Sequence, residues 1–363
     1  MKLIAQIARI FTGVVFVFSG IIKLNDPVGT QIKLEEYFDV FAQDLPFMAG
    51  FWEALVPFAL VFSVILCSLE VIAGVCLLLS WNLKRTAWFL LALCIFFAFL
   101  TFYSAYFNKV TDCGCFGETI KLKPWTSFWK DIVLLVLILI ILWKRNVFAA
   151  PNTGKYIIAT TIFCLFFGIQ AIRHLPWHDG LAYAIGQNIP KNMKPSEPLK
   201  FRYTMEKDGK EEEFDQYPTD TTYKFKSMEL LNENAKPRIT DYRVWNNEGD
   251  FTEDSFKGKK LYILVGHLDH ASFDHIEDIK ALAKSLEGTD IAVAALTSNP
   301  ESEFQAFRHQ YQLAVPFYFV DGKVLKTIIR SNPGIWLMKD GTVVGKWHHN
   351  DVPSKEEVIE ACN

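Results

Sequence analysis

The chain has 363 residues, of which 51% are hydrophobic, and its formal net charge at neutral pH is −3. This near-neutral charge gives no basic surface with interleaved aromatic residues, so no nucleic-acid partner is expected. The apolar residues are concentrated before residue 173, and the sequence therefore predicts at least two domains, a membrane-embedded half and a soluble half.

Five apolar segments of the first half are long enough to cross a bilayer, which requires about 20 mostly apolar residues. They cover residues 4–22, 55–80, 86–107, 128–143 and 156–172. The first segment carries Arg9 and runs into Lys23 rather than into a cleavage site, so it is predicted to remain as a span. Residues 1–145 are assigned to a four-helix transmembrane domain and residues 146–180 to a fifth helix and connector, with the lipid bilayer as their partner.

The placement of basic residues predicts how the spans are oriented. Closely placed basic residues lie against the helix ends on one side: Lys2 with Arg9, Lys84 with Arg85, and Lys144 with Arg145. The opposite loops mix lysines with acidic residues, so the amino terminus is predicted to be cytoplasmic. We expect a multi-pass protein of the bacterial inner (cytoplasmic) membrane with its carboxy-terminal domain in the periplasm. In either orientation, the loop after the third span and the chain after the fifth span share one face.

Arg9, Lys23 and Glu70 are the candidate intramembrane polar residues. Glu70 lies well inside the second apolar segment, where an ionisable side chain is costly and usually marks a bundle interior or a functional site. Two antiparallel helices would place Arg9 at a comparable depth, so Arg9 is predicted to be its partner. The pair is interpreted either as an ion pair that locks the helices together or as a site for a proton or a quinone headgroup.

Motifs of the first two spans and of one loop resemble those of a known membrane family. The chain carries Arg9-x-Phe11-x-Gly13, Phe18-x-Gly20-x-x-Lys23-Leu24, Leu69-Glu70-Val71-Ile72-x-Gly74 and Asp112-Cys113-Gly114-Cys115-Phe116-Gly117. With these motifs, residues 1–145 resemble the DoxX-like family of four-helix membrane proteins, and the loop is similar to that of its methylamine-utilisation E-type (MauE) branch. The resemblance implies a four-helix bundle and a role in maturing periplasmic proteins that contain disulfides.

Cys113 and Cys115 are the predicted catalytic residues. Only one glycine separates them, and glycine lets the backbone bend. A disulfide favours Cα atoms about 5.5 Å apart, which is closer than two residues lie along an extended strand. A bridge would therefore close a small, strained and comparatively oxidising ring. Such a pair suits thiol exchange, and a membrane quinone is the candidate electron carrier. An inert loop disulfide and half of a metal site are the alternative interpretations. Lys109 and Lys121 flank the loop as candidate cations that favour a thiolate.

The second half changes to polar residues, prolines and turn signals from Gly180 onward. Residues 181–238 are predicted to be a linker and β-hairpin region, with strands at 201–205 and 223–226. Residues 239–363 are predicted to be an α/β domain in which strands and helices alternate. Its strands are predicted at 261–265, 291–296, 317–320, 334–338 and 342–347, and its helices at 272–286, 301–311, 324–329 and from 354.

This order of elements resembles the thioredoxin fold of the redoxin and TlpA-like type. Pro333 matches the position at which that fold places a cis-proline beside its active site. The Cys-x-x-Cys that would follow the first core strand is absent from residues 266–272, which excludes dithiol exchange by this domain. Arg330, Asn332 and Pro333 are therefore the candidate residues for binding an envelope protein client, and a turn that feeds a strand is the alternative interpretation.

Histidines near the same end of the predicted sheet raise the question of a metal site. They are His267, His270, His275, His348 and His349. Sequence spacing does not show the four converging ligands that zinc needs, so solvated loop histidines are favoured and no metal site is predicted. Cys362 is the one thiol of this domain, and a transient mixed disulfide with Cys113 is a further hypothesis for it.

These features together favour a membrane thiol-redox or disulfide-maturation factor of the cell envelope. In this hypothesis Cys113 and Cys115 exchange electrons at the membrane surface while the tethered domain binds the client. The alternative is a non-enzymatic scaffold or assembly protein, in which the bundle is an anchor and the thioredoxin-like domain, which lacks Cys-x-x-Cys, recruits an envelope partner. Enzymatic activity is thus an open question at this stage.

Overall fold

The structure is a computed structural model that describes residues 2–110, 114, 117, 122–148 and 152–363. The chain divides into two compact units, Met1–Gly180 and Leu181–Asn363. The first unit is helical and the second is rich in β-sheet, as the composition of the two halves predicts.

The first unit is a bundle of apolar helices. They are α1 (Lys2–Asn25), α2 (Pro27–Asp44), α3 (Ala49–Leu55), α4 (Ala59–Leu78), α5 (Leu83–Phe107), α6 (Pro124–Trp143) and α7 (Gly154–Arg173). In the described part of the unit, five stretches are long and apolar enough to span a membrane: α1, Pro46–Leu78, α5, α6 and α7. The prediction of five spans is confirmed, and the chain is a multi-pass membrane protein.

The helix α2 was not predicted from the sequence. Its first turn is fixed locally, because the Asp26 side chain accepts a hydrogen bond of 2.9 Å from the Gly29 N–H and Pro27 occupies the first helical position. Its sequence mixes charged and aromatic residues and contains no long apolar run, so it does not have the pattern of a membrane-spanning segment. Tyr37 and Phe41 are buried, and they attach α2 to the bundle.

Glycines allow α1 and α4 to pack closely as antiparallel helices. A Cβ atom on Gly74 would lie 2.9 Å from both the Gly13 carbonyl oxygen and the Val17 nitrogen, and one on Gly20 would lie 2.9 Å from the Val71 nitrogen. Such close backbone approach is typical of membrane helix pairs with small residues at the interface. The contacts fix how far along α1 each residue of α4 lies.

The second unit contains short helices and two sheets. Its helices are α8 (Ile189–Asn192), α9 (Thr252–Ser255), α10 (Ile276–Ser285), α11 (Glu301–Tyr311), α12 (Gly322–Ile328) and α13 (Lys355–Ala361). Its strands are β1 (Phe201–Lys207), β2 (Lys210–Phe214), β3 (Lys224–Leu230), β4 (Trp245–Asn246), β5 (Gly249–Asp250), β6 (Lys259–Val265), β7 (Ile291–Thr297), β8 (Phe317–Phe319), β9 (Gly334–Lys339) and β10 (Thr342–His348).

The larger sheet has the strand order β10-β9-β6-β7-β8-β4-β5. The strand β6 pairs in parallel with β7 and antiparallel with β9, so that Ile263 lies opposite both Ala295 and Ile335. All three side chains belong to one buried cluster that α10, α11 and α13 cover. The predicted alternation of strands and helices is confirmed, although α10 begins at Ile276 rather than at residue 272.

The smaller sheet has the order β2-β1-β3 and comes before the α/β region in the chain. Strands at 201–205 and 223–226 were predicted, and β1 and β3 confirm them. The strand β2 was missed because its sequence, Lys210 to Phe214, is almost entirely charged and shows no apolar alternation. Its extended conformation is stabilised by antiparallel pairing with β1 rather than by burial of its own side chains.

Candidate functional site

A buried ion pair joins α1 to α4 inside the bundle. The Lys23 ammonium donates to the Glu70 carboxylate, and the Ser19 hydroxyl donates to the other carboxylate oxygen at 3.1 Å. Lys23 is 5% exposed and Glu70 is 1% exposed. The Lys23 Nζ also lies 5.0 Å from the centre of the Phe97 ring. Both charges are thus neutralised locally, as an apolar interior requires.

The predicted pairing of Glu70 with Arg9 is wrong. Arg9 donates to the carbonyl oxygen of Leu77 at 2.9 Å and to that of Leu78, and its guanidinium lies 5.3 Å from the Phe148 ring. Leu77 follows Glu70 by seven residues, which is about 10 Å along a helix. The close packing of α1 on α4 therefore places Arg9 nearly two turns away from the carboxylate, and Lys23 reaches it from the other direction.

A second buried carboxylate lies on α6. Asp131 is 1% exposed, its Oδ2 lies 3.2 Å from the Thr101 hydroxyl of α5, and its Oδ1 lies 3.0 Å from the Lys130 Nζ. Sequence analysis missed this residue, although an ionisable side chain inside the fourth apolar segment is a signal of the kind that identified Glu70. Its position near the start of that segment, beside Lys130, makes it look like a flanking charge.

Both carboxylates line one cavity in the bundle. The cavity has a volume of about 70 Å³. One water needs about 10–15 Å³ on this scale, so there is room for several waters. Its charged and hydroxyl lining includes Lys23, Lys33, Glu70, Thr101, Lys130 and Asp131, and apolar side chains complete the wall. A cavity lined by charged side chains within a bundle of apolar helices is a setting for proton transfer or for binding a small polar group.

Two glycines of the predicted redox loop line the same cavity. They are Gly114 and Gly117, and the Gly117 N–H donates to the Gly114 carbonyl at 3.0 Å. Gly114 has φ = +66°, a conformation that favours glycine. The predicted catalytic residues Cys113 and Cys115, which Gly114 joins, lie outside the residues that the structure describes.

Lys33 of α2 packs directly against this loop. A Cβ atom on Gly114 would lie 3.2 Å from the Lys33 Cγ. The Lys33 Nζ makes an ion pair of 2.9 Å with Glu36 on the same helix. Lys33 was missed at the sequence level because α2 was not recognised, and α2 is the element that brings its side chain to Gly114.

The predicted flanking cations have other positions. Lys109 makes an ion pair of 2.9 Å with Asp44, and Lys121 lies outside the described residues. Hydrogen bonds from Tyr103 and Lys109 hold the pKa of Asp44 below its usual value, so this carboxyl is ionised at neutral pH. The charge of Lys109 is therefore largely compensated by a carboxylate that does not line the cavity.

In the second unit, the predicted partner-binding residues form internal contacts. The Asn332 side chain accepts from the Gly266 N–H at 3.0 Å and donates to the His267 carbonyl at 2.8 Å. Arg330 is 6% exposed and donates to the Lys326 carbonyl. The peptide bond between Asn332 and Pro333 is cis. These contacts tie the segment before β9 to the loop after β6, where the thioredoxin resemblance would place its cysteines.

Of the five histidines, His348 and His349 lie side by side, with ring centres 4.0 Å apart. His275 bonds to Asp278 at 3.0 Å, and the His349 Nδ1 bonds to the Ser331 hydroxyl at 3.0 Å. Within the described ranges, no group of three or more His, Cys, Asp or Glu side chains is placed to hold a metal ion.

Cys362 is buried in the core of the α/β region. It is 1% exposed, and burial raises the pKa of its thiol. Burial and a raised pKa both make the Cys362 thiol a poor nucleophile. The hypothesis of a mixed disulfide with Cys113 is therefore not supported.

Comparison with known proteins identifies the type of the first unit. The family model of the methylamine utilisation protein MauE matches residues 1–144. With its apolar helices, residues 1–144 are therefore a MauE-type membrane region. A domain of unknown function, DUF8463, matches residues 199–231, which contain β1, β2 and β3. No curated protein matches the chain.

Proposed function

We propose that the chain is a membrane-anchored thiol-redox or disulfide-maturation factor of the cell envelope, in which Cys113 and Cys115 are the exchanging thiols. One observation carries the proposal: Gly114, the residue between the two cysteines, lines the cavity that contains the buried charges of Lys23, Glu70 and Asp131. Buried ionisable groups in a bilayer-spanning bundle are costly and are retained at functional sites. The MauE-type character of the region agrees with the maturation role that the sequence resemblance implies.

Lys33 is the cation that supports the thiolate in this proposal. Its side chain lies against Gly114, whereas the Lys109 charge is compensated by Asp44. A thiolate is the attacking species in disulfide exchange, and a neighbouring ammonium favours it over the thiol. The ion pair with Glu36 reduces this effect but leaves Lys33 anchored beside the loop.

A membrane quinone is the proposed electron acceptor. Oxidation of the two thiols breaks two S–H bonds, forms one S–S bond and releases two electrons and two protons. A quinone takes up two electrons and two protons to become a hydroquinone, so the two half-reactions balance. A mostly apolar cavity with a few charged side chains is compatible with a carrier that is itself lipid-soluble and carries polar oxygens.

The α/β region is proposed to be a thioredoxin-like domain that binds the envelope client. The strand order β10-β9-β6-β7-β8, with β6 parallel to β7 and antiparallel to β9, supports this assignment. A surface around Arg330, Asn332 and Pro333 would hold the client, and periplasmic placement of the domain follows from the proposed orientation. The domain has no Cys-x-x-Cys, so the exchange chemistry belongs to the membrane loop.

The test is the redox state of Cys113 and Cys115 in membranes, measured by differential alkylation and mass spectrometry over a series of redox buffers. We expect a reversible couple at about −120 to −270 mV, the range of known exchange proteins. Cys67 and Cys164, which are buried in the bundle, serve as internal controls that remain reduced at all potentials. A loop pair that is always reduced or always bridged contradicts the proposal.

The alternative is a non-enzymatic scaffold that recruits an envelope partner. The observation in its favour is that the loop after β6 contains no cysteine and is tied to Asn332 by two hydrogen bonds. A scaffold requires no thiol chemistry. In that case the double variant Cys113→Ser/Cys115→Ser would support partner maturation as well as the unchanged protein does.

A further inference from the structure

We propose that the end of the bundle at which α5 and α7 begin binds an anionic phospholipid. One acyl chain lies in a groove between α4 and α7, and the phosphate lies among the basic side chains beside the groove. This site is separate from the cavity that contains Glu70 and Asp131, and it does not depend on the proposed thiol chemistry.

Contacts between helix ends bring the parts of this site together. A Cβ atom on Gly154, the first residue of α7, would lie 3.9 Å from the Trp81 Nε1, so the turn after α4 packs on the start of α7. The Thr86 hydroxyl donates to the Trp81 carbonyl at 3.0 Å, which attaches the first turn of α5 to the same turn. Lys84 and Arg85 belong to that first turn of α5. The end of α4 and the starts of α5 and α7 therefore form one surface.

This end of the bundle is basic. It carries six basic residues, which are Lys2, Lys84, Arg85, Lys144, Arg145 and Lys155. The stretches of sequence to which they belong, residues 1–25, 71–111 and 132–178, contain no Asp or Glu. At the opposite end of α5, by contrast, Lys109 is paired with Asp44. The six cations thus have no carboxylate on their own helices, and clusters of about four to eight Lys and Arg beside membrane helices attract anionic headgroups.

An apolar groove begins next to these charges. It has a volume of about 450 Å³ and is lined by Val75, Leu79, Tyr156, Ala159, Thr160 and Phe163. Phe163 follows Tyr156 by seven residues, which is about 10 Å along α7 and about two thirds of the depth of one leaflet. The Thr160 hydroxyl is used within the helix, because it donates to the Tyr156 carbonyl at 2.8 Å. The groove therefore suits an acyl chain better than a polar ligand.

Aromatic side chains mark the headgroup level at this end. The Lys144 Nζ lies 4.0 Å from the centre of the Trp143 ring, and the Lys155 Nζ lies 5.2 Å from the centre of the Tyr156 ring. Trp143 is 71% exposed and Tyr156 is 53% exposed. Trp and Tyr concentrate at the membrane–water interface. The groove thus begins, at Tyr156, at the depth at which a phospholipid carries its phosphate.

Backbone N–H groups add positive charge to the same layer. Within the described first turns of α5 and α7, neither Asn82 nor Thr153 caps its helix with a side-chain hydrogen bond. The first N–H groups of both helices lack intrahelical partners, and both helix dipoles direct their positive ends to this surface. Phosphate is an anion that such ends bind. A choline headgroup would bring a further cation into a basic surface, so an anionic headgroup fits better than a zwitterionic one.

The experiment is native mass spectrometry of the full-length protein in mild detergent, titrated with phosphatidylglycerol and with phosphatidylcholine of the same chains. We expect phosphatidylglycerol to bind with a Kd at least fivefold lower. The double variant Lys84→Gln/Lys155→Gln should abolish this preference. The matched control Lys109→Gln/Lys123→Gln removes two lysines from the opposite end of the bundle and should retain it.

A second pair of variants tests the groove. Ala159→Trp fills it and should raise the Kd for phosphatidylglycerol at least tenfold, whereas Ile158→Trp, at a 64% exposed position of α7 outside the groove, should change it less than twofold. Glycerol phosphate, which has the charge without the chains, should not displace the lipid. Equal retention of the two lipids, displacement by glycerol phosphate, or equal effects of the two tryptophan variants would overturn the proposal. A lipid-free dimer that Ala159→Trp dissociates would assign the groove to a second copy of the chain instead.

Discussion

The Lys23–Glu70 pair allows a quantitative test of how the bundle holds its charges. We consider three variants: Lys23→Met, Glu70→Leu and the double substitution. Glu70 lies eight residues from Leu78, the nearer end of α4, which is about 12 Å at 1.5 Å per residue. Lys23 lies two residues from the end of α1, about 3 Å by the same measure. A lysine near a helix end can extend toward water, whereas a mid-helix carboxylate cannot.

These positions give different costs for the two single variants. Lys23→Met leaves Glu70 buried without its cation, and breaking a buried pair in this way costs about 3–5 kcal/mol. Glu70→Leu leaves a lysine that can reach the interface, and we expect about 1–3 kcal/mol, the cost of an unsatisfied polar group. The double variant replaces both charges by apolar side chains and should lie within about 1 kcal/mol of the unchanged protein, because such replacements are often neutral.

The assay is reversible unfolding of the purified protein in mild detergent, titrated with a denaturing detergent and followed by tryptophan fluorescence. The Lys33–Glu36 pair, which is partly exposed and lies within one helix, is the matched control, and its coupling should be below about 0.5 kcal/mol. The reasoning is refuted if Lys23→Met costs less than about 1 kcal/mol, or if the costs of the two single variants add in the double variant.

Three further predictions concern other parts of the chain. Lys33→Met should lower the rate at which the loop thiols are alkylated at neutral pH severalfold, and Lys109→Met should change it little; equal effects would contradict the assignment of Lys33. Gly74→Leu should destabilise the bundle by more than about 2 kcal/mol, because its Cβ would meet backbone atoms of α1, whereas Gly50→Leu, with open space around it, should be near neutral in the same unfolding assay. Burial and a neighbouring histidine lower the pKa of His349 from 6.5, so the folded state binds fewer protons there than the unfolded chain, and stability is lost as the pH falls from 6.5 through the lowered value. Thermal unfolding of the full chain followed by near-UV circular dichroism should show this slope, and His349→Gln should reduce it; an unchanged slope would show that other groups cause it.

The sequence is most informative where a single physical pattern determines the structure. The five spans follow from apolar length, and α11 has the predicted bounds because its apolar residues recur at helical spacing between Pro300 and the left-handed Gln312. The strands β6 and β7 follow from their apolar runs. In these segments local composition and tertiary position agree, so no knowledge of the neighbours is required.

The candidate site depends on relations between helices, which the sequence does not state. The glycine contacts fix the position of α1 along α4, and this position brings Lys23 rather than Arg9 to Glu70. The sequence-based prediction compared only the depths of the residues in the membrane, and it therefore selected Arg9. Lys33 reaches Gly114 because it lies on α2. The first turn of α2 is fixed by one capping residue and its buried face by contact with the bundle, and neither feature is evident as a pattern in the sequence. Asp131 becomes notable only when Thr101 and the cavity are seen beside it.

Because glycines fix how α1 packs on α4, the Lys23–Glu70 pair depends on the number of residues between the packed part of α1 and Lys23. Each residue of a helix turns the following side chains by about 100° and advances them by about 1.5 Å. One residue inserted between Gly20 and Lys23 would leave the packed surface intact and rotate the ammonium away from Glu70. The short segment from Gly20 to Lys23 therefore acts as a fixed spacer, which should tolerate changes of side chain far better than changes of length.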